Sequence, residues 1–358
     1  MRILHLAAGN RWTGAAAPAF AEVEALRAAG VDAHYVYVGG YKLQTKIGHH
    51  DFAHPLIEKA QNPFSFRRSV EHIERMIHRH GFDVVHAHLT YDHWLSRFAR
   101  QQDGVRLART IHARRVLRND PFTRSLLRST DLLCVVNDTF SNATVLRGRA
   151  VHFTPPPLDL AQFTDAGENV RARYGIDGAT KLVTVIGKLS KERGFEEALQ
   201  TFAALRPLVP QARLMIIGHG EHRPALEALA ARLGIAEHVL WAGYHEDDLA
   251  EHYRASDLLF FTARGSDEGH RAVLEAMGCG VPPATFPIDG ITALLGPELA
   301  PDHIAPNATP QSLAATAAHL LARTDTDALR SAVTRRATEF GYRRSAERLI
   351  AAYETILG

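Results

Sequence analysis

Short apolar runs alternate with longer segments of helical period along this chain. In the first half the runs fall at 2–7, 33–38, 83–86, 107–111 and 131–136, with helical patterns at 15–29, 64–80, 93–100 and 121–127. A second series of runs starts at 181 and occupies 181–186, 213–217, 239–242, 257–261 and 281–285, with helical patterns at 195–208, 223–233 and 247–255. Runs this short have the length of buried strands, and the patterns between them have the length of helices. Strands that alternate with helices build parallel sheets through right-handed crossovers, and here they do so twice. Between the two series, Thr154-Pro155-Pro156-Pro157-Leu158-Asp159-Leu160 cannot be helix, because proline lacks the N–H and restricts the residue before it. The expected fold class is α/β: two doubly wound, Rossmann-like domains over 1–157 and 158–340, joined by a Pro-rich hinge. Neither a solenoid repeat nor a low-complexity segment interrupts this plan.

Composition agrees with two domains. A chain of 358 residues with 46% hydrophobic and 22% charged residues has the ordinary balance of a globular protein with substantial cores. No apolar stretch reaches the roughly 18 residues of a spanning helix. Met1-Arg2-Ile3-Leu4-His5-Leu6-Ala7 is too short and too soon broken for a signal peptide, and reads as a first strand. Cys134 and Cys279 fall in different expected domains beside apolar runs, so the expected setting is a reducing cytoplasm without a disulfide.

The net charge of +2 conceals an asymmetry: residues 1–150 carry 21 Lys+Arg against 13 Asp+Glu, and the remainder 20 against 26. Arg106, Arg109, Arg114, Arg115, Arg118, Arg124 and Arg128 concentrate the excess. Such a face is either a solvated Arg-rich surface or a meeting place for a phosphorylated acceptor or the anionic inner face of a membrane. No aromatic-interleaved basic motif accompanies it, so nucleic acid is not an expected partner.

Ligands of open parallel sheets bind beyond the carboxyl ends of the strands, and reactive residues cluster there. After 181–186 come Gly187-Lys188-Leu189-Ser190-Lys191-Glu192-Arg193-Gly194, with cations at 188 and 193 flanking a turn. After 213–217 come Gly218-His219-Gly220-Glu221, where glycines let backbone approach a ligand. After 257–261 comes Ser266-Asp267-Glu268-Gly269-His270-Arg271-Ala272-Val273-Leu274-Glu275-Ala276-Met277-Gly278-Cys279-Gly280-Val281-Pro282. Read as helix, it sets Glu268 and Glu275 two turns apart on one face, about 20° from eclipsed. Carboxylates beside free backbone N–H groups suit a ligand that carries both hydroxyls and phosphate, as a nucleotide sugar does. In the first half, the loop 9–14 presents glycine amides, ending at Gly14, but lacks the P-loop Lys-Ser/Thr. The run 83–86 leads to His86-Ala87-His88, and 107–111 leads to His112. His86 and His88 face one side of a strand at a spacing zinc could use, yet no third ligand stands at zinc spacing and no metal is expected. Trp12 is suited either to stack on a sugar or base or to anchor its loop.

These segments together resemble the retaining GT-B glycosyltransferases of family 4 (glycosyl transferases group 1). The resemblance rests on Gly187-Lys188, Arg193-Gly194, the acidic segment through Glu275-Ala276-Met277-Gly278-Cys279-Gly280-Val281-Pro282, Asp83-Val84-Val85-His86-Ala87-His88, Thr110-Ile111-His112 and the loop 9–14. It spans nearly the whole chain. It implies two domains facing a central cleft, acceptor side first and donor side second, with a last helix at 341–358 crossing back to the first domain. Lys188 and Arg193 would hold the donor diphosphate, and Glu275 the nucleotide ribose. Glu268 or Asp267 would take a donor-sugar hydroxyl, supported by amides around Gly269, with Gly187 and Gly218 lining the donor. His112 would sit near the reacting carbon, and the loop ending at Gly14 would close over diphosphate or acceptor. The implied reaction needs no cofactor or metal, only a nucleotide-diphosphate sugar as co-substrate and a glycan, glycolipid or small-molecule acceptor.

Three departures stand out. The family separates its two acids by eight positions, whereas Glu268 to Glu275 is seven and Asp267 to Glu275 is eight. Lys188 and Arg193 exchange the usual Arg and Lys, which moves the bidentate fork. Val281-Pro282-Pro283 puts a residue without an N–H into an expected strand. Two other readings therefore stay open: a GT-B-shaped nucleotide-sugar epimerase, and a nucleotide-sugar-binding pseudoenzyme.

Overall fold

The computed structural model describes residues 1–9, 12, 14–60, 62–100, 104–263 and 269–358, Lys42 through its backbone only. The chain divides into two compact units, 1–157 with 340–358, and 158–339.

The first unit is built on seven strands: β1 (Arg2–Ala7), β2 (Asp32–Val38), β3 (Ala53–Ile57), β4 (Val84–Ala87), β5 (Arg106–Ile111), β6 (Leu132–Val135) and β7 (His152–Phe153). They lie all parallel in the order β3-β2-β1-β4-β5-β6-β7, so the order reverses direction at β1. Strands covered on both faces read as apolar runs, and alternation along β1 shows how the faces divide. Ile3 and Ala7 pack with Phe20, Val23, Leu349 and Tyr353, beneath the helices Ala16–Ala28 and Tyr342–Leu357. Leu4 and Leu6 pack on the opposite face with Ile73, Met76, Ile77 and Leu95, from the helices Pro63–His80 and Thr90–Ala99. Pro63–His80 shows why its residues form a helix. Asn62 caps it by accepting from Ser65 N, Pro63 opens its first turn, and Gly81 at φ 63° ends it, the three signals that start and stop helices. Its buried positions are Ser69, Ile73, Met76 and Ile77, one stripe of an otherwise polar segment.

The second unit holds β8 (Lys181–Ile186), β9 (Ala212–Ile217), β10 (Val239–Gly243), β11 (Leu258–Phe261) and β12 (Pro283–Thr285), parallel in the order β10-β9-β8-β11-β12. Both units are thus mixed α/β with a parallel sheet wound in two directions from a central strand, as expected. Pro283 is accommodated because β12 ends the sheet order, where one missing N–H leaves the ladder with β11 intact.

Ten strands lie within two residues of their expected bounds. The edge strands β3 and β7 are additions to the expected set, being short or only half-buried, and so are the helices Lys42–Ile47, Ile291–His303, Pro310–Ala322 and Thr326–Thr338. In Ile291–His303, Gly296 (φ 73°, ψ 174°) breaks the helical conformation ahead of Pro297, so the sequence lacks a continuous period there. Residues 39–54 contain the helix Lys42–Ile47 and the start of β3. The basic face also needs correction. Arg109 is 2% exposed within β5, an inner strand whose residues after Arg106 are all buried, and Arg106 and Arg118 stand beside Asp131 and Asp120.

Candidate active site

In the second unit the sheet brings the ends of β9, β8 and β11 side by side. The turn after β8 is tied to the turn after β9 through Leu189 N donating to His219 O (2.9 Å) and His222 N donating to Leu189 O (3.1 Å). It is tied to the end of β11 through the Thr262 hydroxyl, which donates to Gly194 O at 2.7 Å. Gly194 is at φ +73°, and a Cβ there would meet Thr262 O at 2.4 Å. Glycine is therefore what lets the end of this turn lie against Thr262, just past β11. Lys188 and Arg193 occupy one strand-end cluster. The Lys188 ammonium lies 3.5 Å from Glu221 Oε2, both more than half exposed, an ion pair of little net worth that a polyanion could replace. Gly187 and Gly218 touch each other: the close approach that Gly218 permits is to the Gly187 carbonyl.

The helix after β11 runs Arg271–Gly278. Its buried face carries Glu275, 4% exposed, where Arg271 Nε donates to Oε1 (2.7 Å) and the Tyr253 hydroxyl donates to Oε2 (3.1 Å). Burial first, then Glu275, holds the Tyr253 phenol well above its ordinary pKa, so it stays a donor. A carboxylate oxygen accepts more than one hydrogen bond, so a ligand hydroxyl can join these donors. One expectation is corrected. His270 is left-handed at φ 50° and the helix starts after it. The helical phase linking Glu275 to position 268 cannot be carried back through such a residue. Asp267 and Glu268 lie outside the described residues, and Gly269 is buried beside the helix start, where first-turn N–H groups lack intrahelical acceptors.

In the first unit, Gly14 is at φ +64° with open space around it. Trp12 packs edge-on against Phe20 at 5.5 Å, with the Lys46 ammonium 4.9 Å from its ring. His112, past the end of β5, has Nε2 2.9 Å from His88 Nδ1. Burial, then Arg109, pushes His112 down to about 3, so it is neutral at physiological pH. His86 and His88 do not stand alone as a pair. His5 pairs with His86 across β1 and β4, and Glu22 reaches the same place from the helix Ala16–Ala28. No third ligand stands at zinc spacing in the sequence; positions 5 and 22 instead come near 86 and 88 through strand register and helix packing, which no sequence spacing encodes. The available signal was polarity in an apolar setting, a histidine inside β1 and a glutamate between Ala19, Val23 and Leu26.

A family model described as Glycosyltransferase Family 4 matches residues 12–162, and one described as Glycosyl transferases group 1 matches residues 167–340. Over 143 residues the chain is 34% identical to a GDP-mannose-dependent alpha-(1-6)-phosphatidylinositol monomannoside mannosyltransferase of Mycolicibacterium smegmatis, covering 37% of either chain. It is 25% identical to an N-acetyl-alpha-D-glucosaminyl L-malate synthase of Bacillus anthracis over 61% of this chain and 60% of that one. It is also 25% identical to a D-inositol 3-phosphate glycosyltransferase of Thermobispora bispora over 82% of this chain and 75% of that one. The match thus spans between about a third and three quarters of these relatives' own lengths. Among solved structures, Anabaena HepE in complex with UDP superposes with a TM-score of 0.81 at 16% identity, covering 99% of this chain and 100% of that one. Sucrose-phosphate synthase of Thermosynechococcus elongatus superposes at 0.79 and 18%, covering 99% and 98%. Two parallel-sheet units, each under its own family model, and strand ends that carry the family's basic turn and Glu-Ala-Met helix place this chain among the GT-B glycosyltransferases of family 4, group 1.

Proposed function

We propose that this glycosyltransferase moves a sugar from a nucleotide-diphosphate donor to a cell-envelope glycan, glycolipid or natural-product acceptor with retention of configuration. The observation that carries the reading is the set of strand ends at β8, β9 and β11: two cations on the turn after β8, and on the helix after β11 a buried carboxylate held by Tyr253 and Arg271. In this reading Lys188 and Arg193 grip the diphosphate and offset charge that builds on the leaving group. Glu275 accepts the ribose hydroxyls, which its fixed orientation favours, because carboxylates are acceptors only. Gly187, Gly218 and Gly269 keep the backbone close to the donor, and Glu268 or Asp267 takes a sugar hydroxyl. The departing phosphate removes the acceptor's proton on the face it leaves, so the transfer step uses no strong base, cofactor or metal. His112, neutral through burial, contributes near the reacting carbon, and the loop ending at Gly14 closes over the diphosphate. Relatives named for inositol phosphate, malate and phosphatidylinositol mannoside acceptors support an acceptor that is small and polar or carries a lipid. The exposed arginines of the first unit suit contact with the inner face of a membrane. No helix among the described residues is long and apolar enough to cross one.

The test is a thermal-shift screen of UDP-, GDP-, ADP- and TDP-sugars, followed by donor hydrolysis and transfer assays. A donor at 100 times its dissociation constant adds about 2.7 kcal/mol of stability. A base-selective shift, with turnover, that disappears in Lys188→Ala and Glu275→Ala is the expected result. Absence of any shift in folded protein overturns the donor site, and binding without turnover favours the pseudoenzyme.

A further inference from the structure

Beneath the helices Ala16–Ala28 and Tyr342–Leu357, His5 Nδ1 lies 2.9 Å from His88 Nε2, and Glu22 Oε2 lies 3.7 Å from each. With His86, these residues each offer a donor atom within 4.8 Å of the others. His5, His86 and His88 are 0% exposed and Glu22 is 1% exposed. Glu22 Oε2 has no hydrogen-bond partner among the described residues, and a carboxylate oxygen buried that way is costly. We propose that His5, His88 and Glu22 form a buried site for a divalent transition-metal ion of the zinc class, with His86 lining its remaining side.

Geometry and chemistry support this together. Nitrogen and oxygen ligands about 2.0–2.2 Å from a tetrahedral zinc stand roughly 3.3–3.5 Å from one another. The observed edges of 2.9, 3.7 and 3.7 Å bracket that spacing. Metal-bound imidazoles use one nitrogen for the ion and the other for an outer hydrogen bond. That outer partner is present in both cases: His88 Nδ1 is 2.9 Å from His112 Nε2, and His5 Nε2 is 3.2 Å from the Tyr353 hydroxyl. His86 already engages Tyr353 (2.6 Å) and Thr110 (2.8 Å), so it stays outside the ligand set, its ring 4.7 Å from those of His5 and His88. Neutral imidazole is the ligand form, and burial keeps His5 and His88 neutral. An ion on His88 Nε2 leaves the proton on Nδ1, which then donates to His112 Nε2 and puts the His112 proton on its other nitrogen. The ion is thus a positioning element one imidazole away from His112, and takes no part in transfer.

The experiment is metal analysis of the full chain. Protein stripped with dipicolinate is reloaded with Zn2+ or Co2+ alone, then dialysed, and metal is counted by inductively coupled plasma mass spectrometry. About one ion per chain, the visible bands of tetrahedral Co2+, a higher melting temperature on reloading, and loss of the ion in Glu22→Gln are the expected results. Wild-type protein that takes up less than about a tenth of an equivalent overturns the site, whatever the variant's folding. So does an ion that survives Glu22→Gln but is lost in Asp248→Asn, which would assign it to the His245–Asp248–His252 cluster of the second unit. None of these readouts depends on sugar transfer.

Discussion

Replacing Gly218 by alanine tests whether the donor-side strand ends are held by backbone contact. Gly218 is at φ +141°, and an added Cβ would fall 1.9 Å from the Gly187 carbonyl oxygen. Neither side can yield cheaply. Gly218 N donates to Gly243 O at 2.6 Å, and Gly187 N donates to Ile217 O at 3.0 Å, so relieving the clash means breaking strand-end hydrogen bonds. A backbone region open only to glycine costs about 1–3 kcal/mol, and overpacking against fixed atoms costs about 1–3 kcal/mol more. Gly218→Ala should therefore destabilise the second unit by about 2–6 kcal/mol. Whatever structure remains should displace Lys188 and raise the KM for donor. Gly178→Ala is the control in the same unit, where no atom lies within 4 Å of the added Cβ. It should change stability by no more than about 1 kcal/mol. Urea unfolding followed by tryptophan fluorescence, together with donor kinetics, reads both effects. Equal midpoints for Gly218→Ala and wild type, with an unchanged donor KM, would refute the contact argument.

Tyr253→Phe removes one of the buried donors that orient Glu275. Losing that hydrogen bond should cost about 1–2 kcal/mol of stability. It should also raise the donor KM more than it lowers kcat, as steady-state kinetics would show. His54, whose pKa is lowered to about 4 by burial and then by His34 and His80, should titrate near that value in an NMR pH series. The unfolded chain binds this proton first, so the stability contributed by a neutral His54 is complete above about 6.5 and declines as pH falls toward 4. Partial exposure at this site makes that loss smaller than the shift alone implies. Cys134 and Cys279 are buried free thiols, burial pushing Cys279 up to about 12. Ellman's reagent should label neither in native protein and both in urea, and fast native labelling would contradict the packing.

The fold was legible wherever a strand or helix is encoded by its own local period. The apolar runs that became β1 and β8 sit in the middle of their sheets and are buried on both faces, so their sequences carry a continuous signal. Edge positions carry less. The β3 strand is buried at its two ends and open between them, and β7 is only two residues long, so neither stands out from the surrounding loop. The late helices are hidden for another reason. Pro310–Ala322 and Thr326–Thr338 are rich in alanine, threonine and serine, and their buried stripes are made partly of alanines, which mark a face weakly.

The site divides along the same line. Lys188, Arg193 and Gly218 were readable because their placement follows from being just past a strand, a local fact. Glu275 was readable as a helix residue, but its orientation was not: Tyr253 comes from the preceding helix, and the left-handed His270 that starts the new one has no distinct sequence mark. The histidine cluster is the instructive case. His86 and His88 advertise themselves by alternation, whereas His5 joins them through the register of β1 on β4, and Glu22 through one face of a packed helix. Both nevertheless violate their surroundings. A buried histidine set among Ile3, Leu4, Leu6 and Ala7 must find polar company or bear the cost of its absence. Two such violations on neighbouring elements, each needing a partner, imply one another. Which elements meet is set by register and packing, and the unmatched polarity that remains, at Glu22 Oε2, is what argues for an ion there.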